Sequence, residues 1–279
     1  MPSSFLIPIV TWLPPGYDCT IVMPNAALAG LVRAEGGSAE RYWKVMVGSR
    51  VVEEGSEVIE FRGGRVVGGP DGHVVWRGAG RDAWPTAGGF MEFGIRAVDD
   101  TPLFTSRRLP SFYNVYTGPG RKSFLLCHAW KFGSPQVISQ IARFGQYVDA
   151  YPVIHIDRQR DLADSLVLIN PYRKPILARI LTHERSDLPR IRIDPMAVVS
   201  VNLADWIAPG DDVWMGQIQL TANNRLVTYI VKHSLADPSA ISTVEHLDPF
   251  RADPTHFPWF RSLRLWVGDM IERRRTAAS

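Results

Sequence analysis

Two stretches, Phe90-Met-Glu-Phe-Gly-Ile-Arg-Ala-Val-Asp-Asp-Thr-Pro-Leu-Phe104 and Val213-Trp-Met-Gly-Gln-Ile-Gln-Leu-Thr-Ala-Asn-Asn-Arg-Leu-Val227, read alike. Each runs as an alternating strand, passes a polar turn and opens a second strand. Each also follows an apolar strand that closes on Pro and Asn: Ile21-Val-Met-Pro-Asn25 in one case, Leu166-Val-Leu-Ile-Asn-Pro171 in the other. Two copies of one small β unit account for this repetition.

Around these stretches, 23 Gly and 21 Pro fall between short runs rich in Val, Ile, Thr and aromatics, the spacing of an all-β chain. Strands are expected at 5–10, 19–23, 42–47, 57–61, 90–97, 103–107, 111–116 and 123–130. They continue at 149–156, 165–169, 176–182, 190–194, 197–203, 215–222, 225–233 and 242–247. Arg190-Ile-Arg-Ile-Asp194 alternates strictly, which puts Ile191 and Ile193 on an inner face. Residues 134–143 fit a short helix or another strand.

The expected fold is therefore all-β: two related β-sandwich units of immunoglobulin-like type, with a short C-terminal helix. The first unit spans 1–122 and holds an inserted hairpin at about 62–89; a central connecting segment covers 123–160. The second unit spans 161–253, and 254–279 form the helix and tail. In that helix Trp259, Leu263, Trp266, Val267 and Met270 recur at helical spacing, and the apolar stripe is expected to dock on its own domain. Arg273-Arg274-Arg275 complements the negative end of the helix dipole and offers charge to an acidic partner.

The pattern of apolar run, Asn-Pro, alternating strand, Pro, apolar run, polar turn and strand, between 165 and 250, is similar to that of several bacterial immunoglobulin-like sandwiches. The sensory rhodopsin transducer family is among them. The resemblance is one of pattern, and no functional residue is carried across from it.

Bulk properties narrow the function classes. A chain of 279 residues buries enough surface to fold without disulfides or metals, and Cys19 and Cys127 form no CxxC pair. The net charge of +3 argues against duplex DNA as a partner. No apolar run reaches the ~20 residues of a membrane span, and a soluble, cytoplasmic protein is expected.

The candidate sites are sparse. Tyr113, Asn114, Tyr116, Gly118, Gly120, Arg121 and Lys122 surround a Gly-Pro-Gly turn whose backbone and cations suit an anionic ligand. His155-Ile-Asp157 and His246-Leu-Asp248 would supply nitrogen and oxygen ligands to a divalent metal if they converged. Trp76, Trp84 and Trp130 could stack on sugar rings. Cys127 and His128 are adjacent on a strand, so they face opposite ways and make no dyad. No catalytic residue and no cofactor is expected. The reading is a non-catalytic binding or assembly module with a protein partner or a second copy, or an anionic or carbohydrate ligand. The alternatives are an enzyme using His155, Asp157, His246 and Asp248, and a carbohydrate-binding module.

Overall fold

The computed structural model describes residues 4–5, 9–10, 17–22, 36–47, 50–62, 65–67, 74–77, 90–98, 113–118, 123–126, 130–131, 148–170, 174–185, 188–195, 197–210, 212–224, 226–247 and 250–251. Residues 263, 266, 267, 270, 271, 273 and 274 are described as well. The chain divides into two compact units, 1–138 and 139–279. Both are built from antiparallel sheets.

The first unit contains β1 (Ser4–Phe5), β2 (Ile9–Val10), β3 (Asp18–Val22), β4 (Gly36–Val47), β5 (Arg50–Arg62) and β6 (Arg65–Val67). It continues with β7 (Val74–Arg77), β8 (Phe90–Val98), β9 (Tyr113–Thr117), β10 (Ser123–Leu126) and β11 (Trp130–Lys131). Its five-stranded sheet has the order β1-β8-β4-β5-β6, its four-stranded sheet the order β10-β9-β3-β7, and β2 pairs with β11. The β4–β5 hairpin is longer than its apolar residues predict. Charged pairs brace it: Arg41 opposes Glu57 in an ion pair, and Lys44 lies 3.7 Å from Glu54. Trp43 lays its indole over Gly55, directly across the hairpin, where a Cβ would meet the ring at 2.4 Å. The segment expected as an inserted hairpin is shared between two sheets instead, because β6 extends β5 while β7 pairs with β3.

The second unit contains β12 (Val148–Ala150), β13 (Val153–Asp157), β14 (Ala163–Ile169), β15 (Ile176–Leu181), β16 (Arg190–Ile193) and β17 (Val198–Asn202). A short helix, α1 (Leu203–Trp206), precedes β18 (Val213–Gln217), β19 (Gln219–Ala222), β20 (Val227–His233), β21 (Ile241–Leu247) and β22 (Phe250–Arg251). Asn202 starts α1 by accepting from the Ala204 amide at 3.2 Å. Arg158 donates to the carbonyls of Ala204 and Ala208 at 3.1 and 3.2 Å and so covers the other end. The five-stranded sheet has the order β16-β15-β19-β12-β22, the four-stranded sheet the order β17-β14-β20-β21, and β13 pairs with β18.

The pairings of the two units follow one plan. In chain order, β3, β7, β9 and β10 pair among themselves as β14, β17, β20 and β21 do. Likewise β1, β4, β5 and β8 pair as β12, β15, β16 and β19 do. The plans part at one place: β8 is continuous along β4, whereas its counterpart breaks at Ile218, and β18 leaves the sheet to pair with β13.

The core of the second unit lies around β14, every residue of which is buried. The residue that follows the strand, Asn170, is itself fully buried. The Asn170 Nδ2 donates to the carbonyls of Lys174, Ile193 and Asp194 at 2.8, 3.1 and 3.0 Å, while its backbone N–H donates to Ala197 O at 2.9 Å. One side chain thus ties the end of the four-stranded sheet to β16 and to the turn before β15. On β16, Ile191 and Ile193 are buried and Arg190 and Arg192 are not, as strict alternation predicts.

Leu263, Trp266, Val267, Met270, Ile271, Arg273 and Arg274 are helical. Of the stripe expected to dock on the domain, Trp259 lies outside the described residues, Leu263 is 52% exposed and Met270 48%, and Val267 is exposed, as is Ile271. Trp266 alone among these apolar residues is half-buried, with the Arg192 guanidinium 6.0 Å from its ring centroid. No helix of the described residues is long and apolar enough to cross a membrane.

Asn170→Ala removes the donor to three carbonyls and is expected to cost about 1–3 kcal/mol for each acceptor left dry. Asn170→Asp sets a carboxylate against the same carbonyls and should destabilise more at pH 7, recovering in part on acidification as the protonated acid regains a donor. Urea unfolding followed by circular dichroism at pH 7 and pH 4 measures both.

Candidate functional site

The residues around the Gly-Pro-Gly turn divide between wall and interior. β9 alternates, so Asn114 and Tyr116 share a face, and both are fully buried. Gly118 follows under the ring of Tyr17, where a Cβ would meet the ring at 2.3 Å. Tyr113 begins β9, while Gly120, Arg121 and Lys122 lie outside the described residues. Across β9 from Tyr116 stands Cys19 on β3, also buried. Burial pushes the Cys19 thiol well above its ordinary value, and a hydrogen bond from Tyr116 acts in the opposite direction.

The metal candidates sit on separate strands. His155 and Asp157 lie on β13, two residues apart and on one face. Asp157 is buried and its carboxylate already accepts from Arg160, by the backbone N–H at 3.0 Å and by the guanidinium at 3.3 Å. His246 lies on β21, its ring edge-on to Tyr229 at 5.4 Å between centroids. Asp248 lies outside the described residues, and among those described no three His, Cys, Asp or Glu gather as a metal would need. Of the tryptophans considered for stacking, Trp76 is on β7 and Trp130 on β11, and Trp84 lies outside the described residues.

Chemistry-bearing side chains do meet where β13, β14 and β20 adjoin. Asp164, buried on β14, accepts from the Lys232 ammonium at 2.8 Å and from the His155 backbone N–H at 2.8 Å. One residue along, Ser165 Oγ lies 2.7 Å from His233 Nε2, while His233 Nδ1 lies 2.7 Å from the Ser234 carbonyl. A carbonyl only accepts, so Nδ1 carries the proton and Nε2 accepts from the Ser165 hydroxyl. The pairing resembles a serine held by its base, yet both side chains are buried. It therefore serves to clamp β14 to β20. Beside it, Asp161 at a positive φ of 55° accepts from the Ser234 hydroxyl and from the Ala236 N–H at 2.8 Å. The Ser234 hydroxyl bond, with the Ala236 and Leu235 backbone bonds, holds the Asp161 carboxyl below its ordinary value.

The sequence carried no local sign of the Ser165–His233 pair, whose members are 68 residues apart.

The outward side of the same region displays apolar side chains among polar ones. On the β13–β18 ribbon, Ile154 and Ile156 point inward, and the Trp214 indole packs against Gly216 on that side. The opposite face carries Val153, His155 and Asp157 against Gln217, Met215 and Val213. Met215 is 71% exposed and Val153 63%; Val213 and the neighbouring Tyr151 are exposed as well. No family model matches this chain, and neither a characterised protein nor a solved structure matches it.

Ser165→Ala leaves the His233 Nε2 without its donor in the interior and is expected to cost about 1–3 kcal/mol in denaturant unfolding. The Cys19 thiol should resist Ellman's reagent at pH 8 until the chain unfolds. Its raised value contributes stability below the ordinary 9.0 that is lost as the pH climbs above it. Asp161 works the other way: its contribution holds above the ordinary 3.8 and fades as the pH falls below it. A pH series of thermal unfolding reads both limbs.

Proposed function

We propose that this chain is a non-catalytic binding or assembly module made of two related β-sandwiches, immunoglobulin-like in plan. The relationship is supported by the common pairing order of the two units, which goes beyond what a few similar stretches would require. Each unit has a four-stranded and a five-stranded sheet, the proportions of a Greek-key sandwich.

One observation carries the functional reading. In the second unit Asp157, Asp164, Ser165, Asn170 and His233 are all buried and engaged with the protein's own backbone or side chains. The exposed ribbon face presents Val153, Val213 and Met215, with Gln217 beside them. Polar groups spent inside and apolar groups displayed outside suit contact with another macromolecule more than turnover of a substrate.

Light scattering across a concentration series tests the assembly form of this reading. The wild-type mass is expected to rise with concentration, and a Val153→Lys, Met215→Lys double variant is expected to stay monomeric while keeping its circular dichroism. A wild-type chain that remains a monomer at the highest concentration counts against assembly through this face.

A further inference from the structure

The β13–β18 ribbon has an open side, and its register says which backbone groups lie there. The two strands bond through their even-numbered residues: Arg158 N–H donates to Asp212 O at 2.8 Å, and Ile218 N–H to Pro152 O at 3.0 Å. The odd-numbered residues of β13 turn the other way, His155 N–H to the Asp164 carboxylate and Asp157 N–H to Leu162 O, each at 2.8 Å. Residues opposite one another in an antiparallel ladder share this alternation. The N–H and C=O groups of Val213, Met215 and Gln217 therefore point away from β13. No strand among the described residues pairs with them. β18 also carries no charge and no proline, two common guards of an open edge.

In the first unit a strand fills this place. The two similar stretches align Val213 to Gln217 with Phe90 to Gly94, and those residues pair with Met46 to Tyr42 of β4. In the second unit β15 stops at Leu181, opposite Gln219, and the chain turns back toward α1. Thr182 N–H donates to Arg185 O at 3.0 Å, and the Arg185 guanidinium reaches Trp206 O at 3.1 Å. A slot for one strand is left beside β18. We propose that β18 of a second copy occupies it, antiparallel about a two-fold axis at Met215; this rests on the assembly reading and names its partner. Val213 then opposes the second copy's Gln217, Met215 opposes Met215, and Trp214 opposes Gly216. The three outward pairs exchange about six main-chain bonds. Met215, 71% exposed in one copy, is covered by its own counterpart. Asp212, the charge beside the strand, falls opposite the uncharged Ile218. The edge strand β16 lacks this self-complementarity, because the same operation would set Arg190 against Arg192. Two ribbons of two strands become one sheet of four, which supports itself better than either alone.

Cysteine pairing in the full chain reads the register. A Cys127→Ser background leaves only the buried Cys19. Adding Met215→Cys sets two thiols on a hydrogen-bonded pair with Cα atoms about 5.5 Å apart, within disulfide reach. Under mild oxidation this variant is expected to run as a covalent dimer on a non-reducing gel. Val213→Cys alone, or Gln217→Cys alone, holds its two thiols roughly 14 Å apart along the ladder and should not cross-link. The two variants mixed should. Met215→Pro removes an N–H that the ribbon itself does not use, and should weaken self-association in sedimentation velocity by roughly tenfold or more. Met215→Leu should preserve association, and unchanged circular dichroism confirms that both variants fold. A wild type that gains mass with concentration while Met215→Cys fails to cross-link overturns edge pairing and leaves assembly through the ribbon standing. Cross-linking by Val213→Cys alone does the same, as does a Met215→Pro chain that associates like the wild type. A wild-type chain that stays monomeric overturns both readings.

Discussion

A single buried primary amide sets the geometry of the second unit. Asn170 has two amide protons for three carbonyls, so one proton is shared between two acceptors. Each of those carbonyls belongs to a chain end that would otherwise need water: the close of β16 and the turn leading into β15. Because β14 is buried along its whole length, water cannot reach its last residue from either face. A hydrophobic residue at this position would fill the space and leave the buried Ile193 carbonyl without this donor. The amide thus lets β14 end inside the protein while the chain turns toward the other sheet.

The same rule, that a buried polar group must find a partner within the fold, explains why the interior absorbs so much of the unit's chemistry. Asp164 couples β13, β14 and β20 through one carboxylate, since its two oxygens take the His155 amide and the Lys232 ammonium. Ser165 and His233 close a chain of donors that ends on the Ser234 carbonyl. Asn223 repeats the device on β15, accepting the Leu177 amide at 2.9 Å while its own N–H donates to the Leu177 carbonyl at 3.0 Å. These groups lock strands together. They leave the outer faces to be defined by what remains, which on the ribbon is Val153, Val213 and Met215.

Much of the strand content was legible in sequence, because period-two patterns such as Arg190 to Ile193 and apolar runs such as Leu166 to Ile169 report burial directly. The β4–β5 hairpin was legible only in fragments. Val51, Val52 and Val58 are exposed there and charged residues recur along both strands, so no hydrophobic period marks its length. Helix α1 escaped because four residues begun by an Asn cap look like a strand end. The candidate sites were the least legible part. Asn114 and Tyr116 read as neighbours of a glycine turn, but alternation gives β9 two faces, and theirs is the inward one. The Ser165–His233 contact depends on β14 and β20 being adjacent, a fact of topology that local pattern does not contain.

Topology also explains why the apolar ribbon arises where it does. In the first unit β4 is 12 residues long and keeps β8 paired over its full course. In the second, β15 is only 6 residues long, and its last partner across the ladder is Gln219. The chain before Gln219 then has no strand of the five-stranded sheet left to pair with, and unpaired buried backbone is costly. Ile218, buried, donates its N–H to the Pro152 carbonyl at 3.0 Å, and the preceding residues take β13 as their partner. Shortening one strand therefore redirects another. It builds a two-stranded ribbon with Ile154 and Ile156 on its inner face and leaves Val153 and Met215 outward. The surface put forward for assembly stands at the point where the two units cease to follow the same plan, a place where a change in strand length alters what is exposed without disturbing the core.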